Sequence, residues 1–269
     1  MTYPALKNKW ALILGASSGF GAAAARALAK AGMNIYGVHF DKKETLPLAK
    51  QVMADIEACG QKQIFWNSNA ADDEKRATVI ANIKAQLENA PPSERIHVLF
   101  HSLAFGSLKP IYVPDKSQRL GRANLEMTLD VMASSLIYWV QDLLDAGVLS
   151  PGGRIYAMTS AGGQKVWKSY AAVSAAKAAL ESYIRQLAVE LAPLRITANA
   201  LMAGTTDTPA LRKIPEHPQM IADALRQNPY ARLTLPEDVA ECVVALSLPH
   251  TYWMNGNTLL IDGGEYIVK

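Results

Sequence analysis

Short apolar runs alternate with longer amphipathic stretches along the 269 residues of the chain. Between the apolar runs, hydrophobic residues recur three and four positions apart, which is typical of helices that cover a core. Strands that alternate with helices favour a parallel sheet buried on both faces. We therefore predict an α/β fold of the Rossmann type, a doubly wound parallel sheet flanked by helices, in a single domain over 1–269. The predicted strands are WALILG (10–15), NIYGVHF (34–40), QIFWN (63–67), HVLFHSLA (97–104), RIYAMTS (154–160), RITANAL (195–201) and TLLIDGG (258–264).

Composition narrows the possible partners. Half of the residues are apolar, the formal charge is +3, and no basic cluster is longer than Lys42-Lys43. We therefore expect no nucleic acid partner. No apolar run approaches the roughly 18 residues of a membrane span, and the N-terminal segment lacks an apolar core behind a basic region. These features favour a cytoplasmic protein. Cys59 and Cys242 lack metal-ligand spacing, so we expect reduced thiols and no metal site.

A glycine-rich turn joins the first strand to an alanine-rich helix in ALILGASSGFGAAAARALAKAG. Glycines let the backbone approach a pyrophosphate, and the following helix directs free N–H groups and its positive dipole end at the phosphates. The strand before the turn and the helix after it favour dinucleotide binding over an ordinary tight turn. The predicted contacts are Gly15, Ser17, Ser18, Gly19, Phe20 and Gly21.

The end of the second strand, VHFDKK, bears on the choice of nicotinamide cofactor. An acidic residue here binds the ribose hydroxyls of NAD, whereas basic residues accommodate the extra phosphate of NADP. His39 occupies the usual acidic position, Asp41 follows two residues later, and Lys42 and Lys43 come next. We expect NADPH, bound with help from His39 and Lys42, with NADH possible. The alternative is that these charges only cap a solvated turn.

The glycine spacing GxxxGxG resembles that of the short-chain dehydrogenase/reductase superfamily. Ordinary members carry a Tyr and a Lys four residues apart on one helix, where the Lys lowers the pKa of the phenol and binds the nicotinamide ribose. In SYAAVSAAKAALES the Lys aligns with Lys177, but the Tyr position is Val173, which cannot donate a proton. The resemblance also implies cofactor contacts from Asn69, Ser102, Lys177, Gly204, Thr206 and Thr208.

Tyr170 stands one turn before the usual tyrosine position. Seven residues make nearly two helical turns, so Tyr170 and Lys177 are expected to share a face, with the hydroxyl moved along the helix axis. This spacing resembles that of the enoyl-acyl carrier protein reductases. A displaced acid suits their chemistry, because the charge collects on a thioester oxygen that is two bonds farther from the carbon that accepts hydride than the oxygen is in simple ketone reduction.

Other segments are similar to the same branch of the superfamily. HSLAFGS (101–107) resembles its counterpart in enoyl reductases, and Met132 stands where ordinary members carry an Asn that orders a relay water, so that relay should be absent. NALMAGTTDTPALRKIP (199–215) and the C-terminal NGNTLLIDGG look most like FabL-type, NADPH-dependent members. Well-known enoyl reductases have a second Tyr at the position of Ser160, whereas FabL-like members have Ser there. Ser160 either assists Tyr170 at the enolate oxygen or only caps the next turn.

The resemblance implies an NADPH-dependent reductase of the C2=C3 bond of an enoyl thioester on acyl carrier protein or coenzyme A, with Tyr170, Lys177 and Ser160 as catalytic residues. The alternatives are a short-chain carbonyl reductase or alcohol dehydrogenase, and a catalytically inactive nucleotide-binding regulatory protein. Residues 205–230 are expected to form a mobile substrate lid. A homotetramer is implied, with ASSLIYWVQDLL as an apolar contact face. Candidates for contact with an acidic carrier protein are Arg212, Lys213 and Arg226.

Overall fold

A seven-stranded parallel sheet forms the centre of the molecule in the computed structural model, which describes residues 2–268. The strand order is β3-β2-β1-β4-β5-β6-β7. The strands are β1 Trp10–Leu14, β2 Asn34–His39, β3 Gln63–Asn67, β4 Ile96–His101, β5 Leu149–Thr159, β6 Thr197–Ala203 and β7 Thr258–Ile261. All seven predicted strands are present, and the doubly wound Rossmann-type architecture is confirmed.

Helices cover both faces of the sheet. Helices α1, α2 and α8 pack on one face around small and aliphatic side chains such as Ala24, Leu28 and Val243. Helices α3, α5 and α6 pack on the other face, around Ile83, Trp139 and the inner side of α6. The helices are α1 Gly19–Lys30, α2 Leu46–Ala58, α3 Asp73–Leu87, α4 Arg122–Leu129, α5 Ser135–Asp145, α6 Ala171–Glu190, α7 His217–Gln227 and α8 Pro236–Leu246.

The order of the strands reverses between β1 and β4, and this reversal positions the site. The chain runs from β1 outwards through β2 and β3, then returns to place β4 on the other side of β1. Loops at the carboxyl ends of the two strands therefore diverge and leave a crevice, where open α/β sheets bind ligands. The side chains considered below come mainly from these strand ends.

Strand β5 begins earlier than predicted. It starts at Leu149 rather than Arg154, and Leu149 pairs with Ile96 before a register shift. The segment between them contains Pro151-Gly152-Gly153, a composition typical of a turn. Pairing with β4 extends the strand through a sequence that has little strand preference of its own.

Helix α5 lies in the segment that was expected to form an apolar contact face between protomers of a homotetramer. Leu136, Trp139 and Leu143 are buried against the sheet, while Tyr138 lies on the outer side with the Arg76 guanidinium 5.3 Å above its ring. The most apolar residues of this helix thus fill the core of the protomer. The homotetramer remains a prediction. None of the helices within residues 2–268 is both long and apolar enough to cross a membrane.

Candidate active site

In the glycine-rich turn, the backbone approaches neighbouring backbone so closely that side chains at Gly15 and Gly21 would not fit. Gly15 has φ +91°, and a Cβ atom there would lie 2.6 Å from the carbonyl oxygen of Ser102 at the end of β4. Helix α1 begins at Gly19, and its first turn carries no acidic residue. A Cβ on Gly21 would collide with the carbonyl oxygen of Gly15. Gly21 therefore allows the helix to start against the strand, and it does not line the crevice itself.

A single cleft of about 970 Å³ runs along the carboxyl edge of the sheet. Of the predicted catalytic and cofactor-binding residues, all but Gly21 and Lys42 line this cleft. The free N–H groups at the start of α1 and the close backbone approach at Gly15 fit a dinucleotide pyrophosphate. The predicted residues on its walls are Gly15, Ser17, Ser18, Gly19, Phe20, His39, Asn69, Ser102, Ser160, Tyr170, Lys177, Gly204, Thr206 and Thr208. Within residues 2–268, no group of three or more His, Cys, Asp or Glu side chains could hold a metal ion.

The end of β2 presents an acidic group to the cleft. The Asp41 carboxylate lies 2.8 Å from Nδ1 of His39 and lines the wall, whereas Lys42 is exposed outside it. Burial alone would raise the pKa of the Asp41 carboxyl. Hydrogen bonds from Thr45, Ser17 and His39 outweigh that effect, so the pKa is lowered and the group stays ionised. The contact of Lys42 with the cofactor stays a prediction.

Tyr170 lies at the N-terminus of helix α6, just before its first helical residue. Its backbone has φ −99° and ψ 3°, so the prediction that it shares a continuous helical face with Lys177 is wrong in detail. Both side chains still line the same cleft. Burial raises the pKa of the Tyr170 phenol, and the neighbouring Ser160 hydroxyl partly offsets the rise. The phenol therefore keeps its proton at neutral pH and can act as an acid.

The segment 161–169, here called the catalytic loop, holds the Tyr170 ring in place. Ser169, at its end, has φ +60°, a left-handed conformation that few non-glycine residues adopt. A Cβ atom on Gly162 would overlap the Tyr170 ring, and Trp167 packs edge-on against that ring at 5.7 Å between centroids. The ring thus occupies space that only a glycine at position 162 leaves free.

Ser160 both caps a turn and faces the tyrosine. Its Oγ accepts a hydrogen bond of 3.1 Å from the backbone N–H of Gly162. Its own hydroxyl proton remains free for donation, and Ser160 also faces the Tyr170 phenol. The two roles considered from the sequence are therefore compatible.

Lys177 is buried beside the carboxyl end of β5. Only 5% of the residue is exposed, and its Nζ donates a 2.7 Å hydrogen bond to the carbonyl oxygen of Met158. Burial lowers the pKa of the Lys177 ammonium to about 8, against the opposing effect of Glu181. The Glu181 carboxylate is itself held by the Thr159 hydroxyl at 2.7 Å. The ammonium is thus charged at neutral pH and close to losing its proton in weak alkali.

The tyrosine position of ordinary members is closed. Val173 is 5% exposed and belongs to the core cluster beneath α6. A Cβ atom built on Gly106 would lie 2.8 Å from the Met132 sulfur and 3.0 Å from a methyl group of Val173. The backbone at Gly106 therefore packs directly onto Val173 and Met132, and leaves no room for a phenol.

The last residue of β4, His101, is a buried histidine. In the sequence it stood out only as part of the segment HSLAFGS. His101 is fully buried, and its Nε2 lies 2.9 Å from the Ser135 hydroxyl. That hydroxyl donates its one proton to the carbonyl oxygen of Val131, so Nε2 must be the donor to it. Burial, together with the charge of Lys177, lowers the pKa of His101 to about 3. His101 is therefore a neutral imidazole near the catalytic lysine.

The loop after β6, residues 204–208 and here called the β6 loop, is fixed by a residue that the sequence did not single out. The Glu265 carboxylate accepts hydrogen bonds from the Thr205 backbone N–H and from its hydroxyl, the latter at 2.7 Å. Thr206 is buried and donates its hydroxyl to the carbonyl oxygen of Gly204 at 2.9 Å. Glu265 follows DGG near the end of the chain, and no local pattern connects it with position 205.

The predicted lid contains a short turn, Leu211–Lys213, and helix α7. Of the three basic candidates for a carrier contact, Arg212 is paired with Asp207 at 2.7 Å and Arg226 with Asp223 at 2.6 Å. Lys213 lines the cleft instead, with its ammonium 5.9 Å from the centre of the Phe105 ring. Apolar side chains dominate the walls at this end, including Leu108, Met127, Val131, Ile214 and Met220.

Two kinds of enzyme occur among similar proteins. The 1-cyclohexenylcarbonyl-CoA reductase of Streptomyces collinus is 28% identical over 97% of this chain and 88% of its own length. The NADH enoyl-acyl carrier protein reductase FabI of Bacillus cereus is 26% identical over 78% of each chain. The cyclohexanol dehydrogenase of an Acinetobacter species is 28% identical over 95% of this chain and 94% of its own. Carbon–carbon double bonds and alcohols are thus both represented.

Solved structures agree on the fold. The angucycline C-6 ketoreductase LanV, determined with bound NADP, superposes with a TM-score of 0.81 at 22% identity over 97% of each chain. A Serratia marcescens short-chain dehydrogenase/reductase gives 0.80 at 23% identity over 97% of this chain and 98% of its own. A sequence model of the family described as enoyl-(acyl carrier protein) reductase matches residues 15–265. With this cleft and fold, the chain belongs to that family of NAD(P)-dependent short-chain dehydrogenase/reductase oxidoreductases.

Proposed function

We propose that the protein reduces the C2=C3 double bond of an enoyl thioester with a nicotinamide cofactor. The observation that carries this proposal is the displaced phenol. Tyr170 lies on the cleft wall seven residues before Lys177, while the usual tyrosine position, Val173, is closed by Gly106 and Met132. An acid displaced in this way suits an oxygen that lies three bonds from the carbon that accepts hydride, two bonds farther than in ketone reduction.

Each side chain then has a defined task. A nicotinamide nucleotide held in the cleft would supply hydride for C3, and negative charge would then collect on the thioester oxygen. The Tyr170 phenol donates its proton to that oxygen, and the Ser160 hydroxyl donates a second hydrogen bond to it. The thioester forms when C2 takes a proton from solvent and the enol oxygen returns its proton to the Tyr170 phenolate. The Lys177 ammonium binds the nicotinamide ribose and makes the potential around the phenol more positive, so that proton loss from the phenol becomes easier.

The walls at the acyl end favour a hydrophobic acyl group. Leu108, Met127, Ile214 and Met220 surround this part of the cleft. Residues 205–230 close over the acyl group as a lid, which excludes bulk water while hydride is transferred. Lys213 lines the cleft and would pair with the phosphate of a pantetheine arm, on coenzyme A or on acyl carrier protein.

Reduction of a ketone is the second candidate. It is supported by Ser160, which would bind a carbonyl oxygen in an ordinary member, and by the similarity to cyclohexanol dehydrogenase. A catalytically inactive nucleotide-binding protein is the least supported alternative. The cleft keeps both an acid, Tyr170, and a charged Lys177 on its walls.

The end of β2 supports NADH as the preferred cofactor, in contrast to the NADPH expected from the sequence. An ionised Asp41 on the cleft wall can accept hydrogen bonds from the ribose hydroxyls, but it repels a 2′-phosphate. Lys42, which would offset that repulsion, is exposed and does not line the cleft.

Steady-state kinetics test the reaction. Wild-type protein is assayed with crotonyl-CoA and with acetoacetyl-CoA, each with NADH, and Tyr170→Phe is assayed beside it. We expect turnover of the enoyl thioester that falls by at least about 100-fold in the variant, because the proton donor is lost. Turnover of acetoacetyl-CoA alone would favour the ketone reductase, and turnover of neither would favour the inactive protein.

A second experiment tests the cofactor assignment. The ratio of kcat/KM for NADH to that for NADPH is measured for the wild type, Asp41→Asn and Lys42→Met. We expect a ratio above one that falls at least about tenfold in Asp41→Asn, because one close charge pair is removed. Lys42→Met is the matched control and should leave the ratio unchanged. A wild-type preference for NADPH that is lost in Lys42→Met would restore the original expectation.

A further inference from the structure

Two consecutive residues near the C-terminus connect both sides of the cleft. Glu265 binds the β6 loop through the backbone N–H and hydroxyl of Thr205. Tyr266, the next residue, donates its hydroxyl to Oε1 of Gln164 at 2.7 Å. Gln164 lies in the middle of the catalytic loop, between Ser160 and Tyr170. The two loops therefore meet through a single dipeptide.

A second contact holds the same ring. The Lys165 ammonium lies 4.4 Å from the centre of the Tyr266 ring, a cation–π geometry. Lys165, Glu265 and Tyr266 all line the cleft. The catalytic loop is thus bound to Tyr266 at two adjacent positions, by the phenol hydroxyl of Tyr266 and by the face of its ring.

The dipeptide itself is anchored to the sheet. The buried Asp262, directly after β7, accepts hydrogen bonds from the backbone N–H groups of Gly264 at 2.9 Å and of Tyr266 at 2.8 Å. Its own carbonyl oxygen accepts a 3.0 Å hydrogen bond from the buried Asn228 side chain. The turn that carries Glu265 and Tyr266 is therefore fixed to the end of β7. The contacts of these two residues can thus hold the catalytic loop and the β6 loop relative to the sheet.

We propose that Glu265 and Tyr266 are positioning residues that set the catalytic loop at a fixed distance from the β6 loop. The β6 loop lines the cleft and carries Gly204, Thr206 and Thr208, which the family resemblance places against the cofactor. The catalytic loop carries the proposed proton donor, Tyr170, at its end. Their spacing decides whether hydride and proton reach the same substrate.

Ser169 has a left-handed backbone conformation, and the Tyr170 ring packs against Gly162, so the loop has to keep one particular conformation. Contacts from Tyr266 to Gln164 and Lys165 stabilise that conformation from outside the loop.

The test removes the hydroxyl and its acceptor separately and together. Tyr266→Phe keeps the ring under Lys165, Gln164→Ala removes the acceptor, and Tyr252→Phe is the control, because Tyr252 is an exposed tyrosine outside the cleft. We expect kcat with crotonyl-CoA to fall about threefold to tenfold in Tyr266→Phe and in Gln164→Ala, the range that one neutral hydrogen bond supports. Tyr252→Phe should keep the wild-type kcat. The KM for NADH should stay unchanged. The double variant should be no worse than either single one, since both remove the same interaction.

A second measurement does not depend on turnover, whereas the kinetic measurement rests on the proposed function. Hydrogen–deuterium exchange of the peptide that covers 161–170 should become faster in Tyr266→Phe and in Gln164→Ala, and should not change in Tyr252→Phe. If the wild type reduces no substrate and the exchange still increases, the proposed function fails while the structural link stands. Unchanged exchange, an unchanged kcat in an active enzyme, or additive effects in the double variant would each overturn the inference.

Discussion

At the scale of single residues, the Tyr170 ring packs beside a position that has no side chain, Gly162. Tyr170, Lys177 and Ser160 were predicted as catalytic residues from the family resemblance, and all three line one cleft. Gly162 was not singled out, although the Tyr170 ring occupies the space beside it. A sequence pattern can indicate which side chains share a site. The need for a glycine at position 162 becomes visible only when the fold packs the Tyr170 ring against it.

The fit between Gly162 and the Tyr170 ring gives the first prediction. Gly162→Ala should lower kcat by about 100-fold, because a displacement of about 1 Å at a catalytic group costs that much. Gly163→Ala is the matched control, since a Cβ there meets neighbours no closer than 3.5 Å. Both are compared by steady-state kinetics and by thermal unfolding. Equal activity in the two variants would show that the ring is not held as the structure has it.

The pH dependence of the reaction should follow Lys177. Burial lowers the pKa of its ammonium to about 8, whereas the pKa of the Tyr170 phenol is raised, so the lysine loses its proton first. The charged form exists below its pKa. We therefore expect kcat/KM to be constant at neutral pH and to fall as pH rises through about 8. A profile measured from pH 6 to 10 that stays flat would contradict a role for the Lys177 charge.

At the scale of secondary-structure elements, the sequence pattern predicted the presence of helix α6 but not the residue at which it begins. The pattern predicted a helix that carries Lys177, and α6 spans Ala171–Glu190. It also placed Tyr170 inside that helix, but the chain enters α6 from the left-handed residue Ser169, and Tyr170 precedes the first helical residue. Helix ends depend on packing of the preceding loop, which periodicity does not contain. The early start of β5 at Leu149 has a similar cause, since pairing with β4 overrides local preference.

The packing of α6 gives a prediction about the usual tyrosine position. Val173→Tyr should not create a ketone reductase, because Gly106 and Met132 occupy the space that a phenol needs. We expect the overpacked variant to lose about 1–3 kcal/mol of unfolding free energy and to gain no activity with acetoacetyl-CoA. Val173→Ala serves as the control and should keep the wild-type ratio of enoyl to ketone reduction. A Val173→Tyr variant that is stable and reduces ketones would show that the position is open.

At the scale of the whole molecule, the alternation of strands and helices was sufficient to predict the parallel sheet and the edge where the cleft lies. It could not predict contacts between distant segments. Gln164 and Tyr266 are separated by 102 positions, and Thr205 and Glu265 by 60. The choice between NADH and NADPH stays a prediction for a related reason. The residues VHFDKK contain both an acid and two lysines, and the sequence alone could not predict that Asp41 lines the cleft while Lys42 does not.

If the displaced Tyr170 selects enoyl reduction over ketone reduction, the protein should distinguish the two substrates in direct competition. The experiment uses equimolar crotonyl-CoA and acetoacetyl-CoA, nicotinamide cofactor that carries deuterium at the transferred position, and product analysis by mass spectrometry and NMR. We expect butyryl-CoA with deuterium at C3 as the dominant product, and loss of that product in Tyr170→Phe. Deuterium found mainly at the carbinol carbon of 3-hydroxybutyryl-CoA would contradict it.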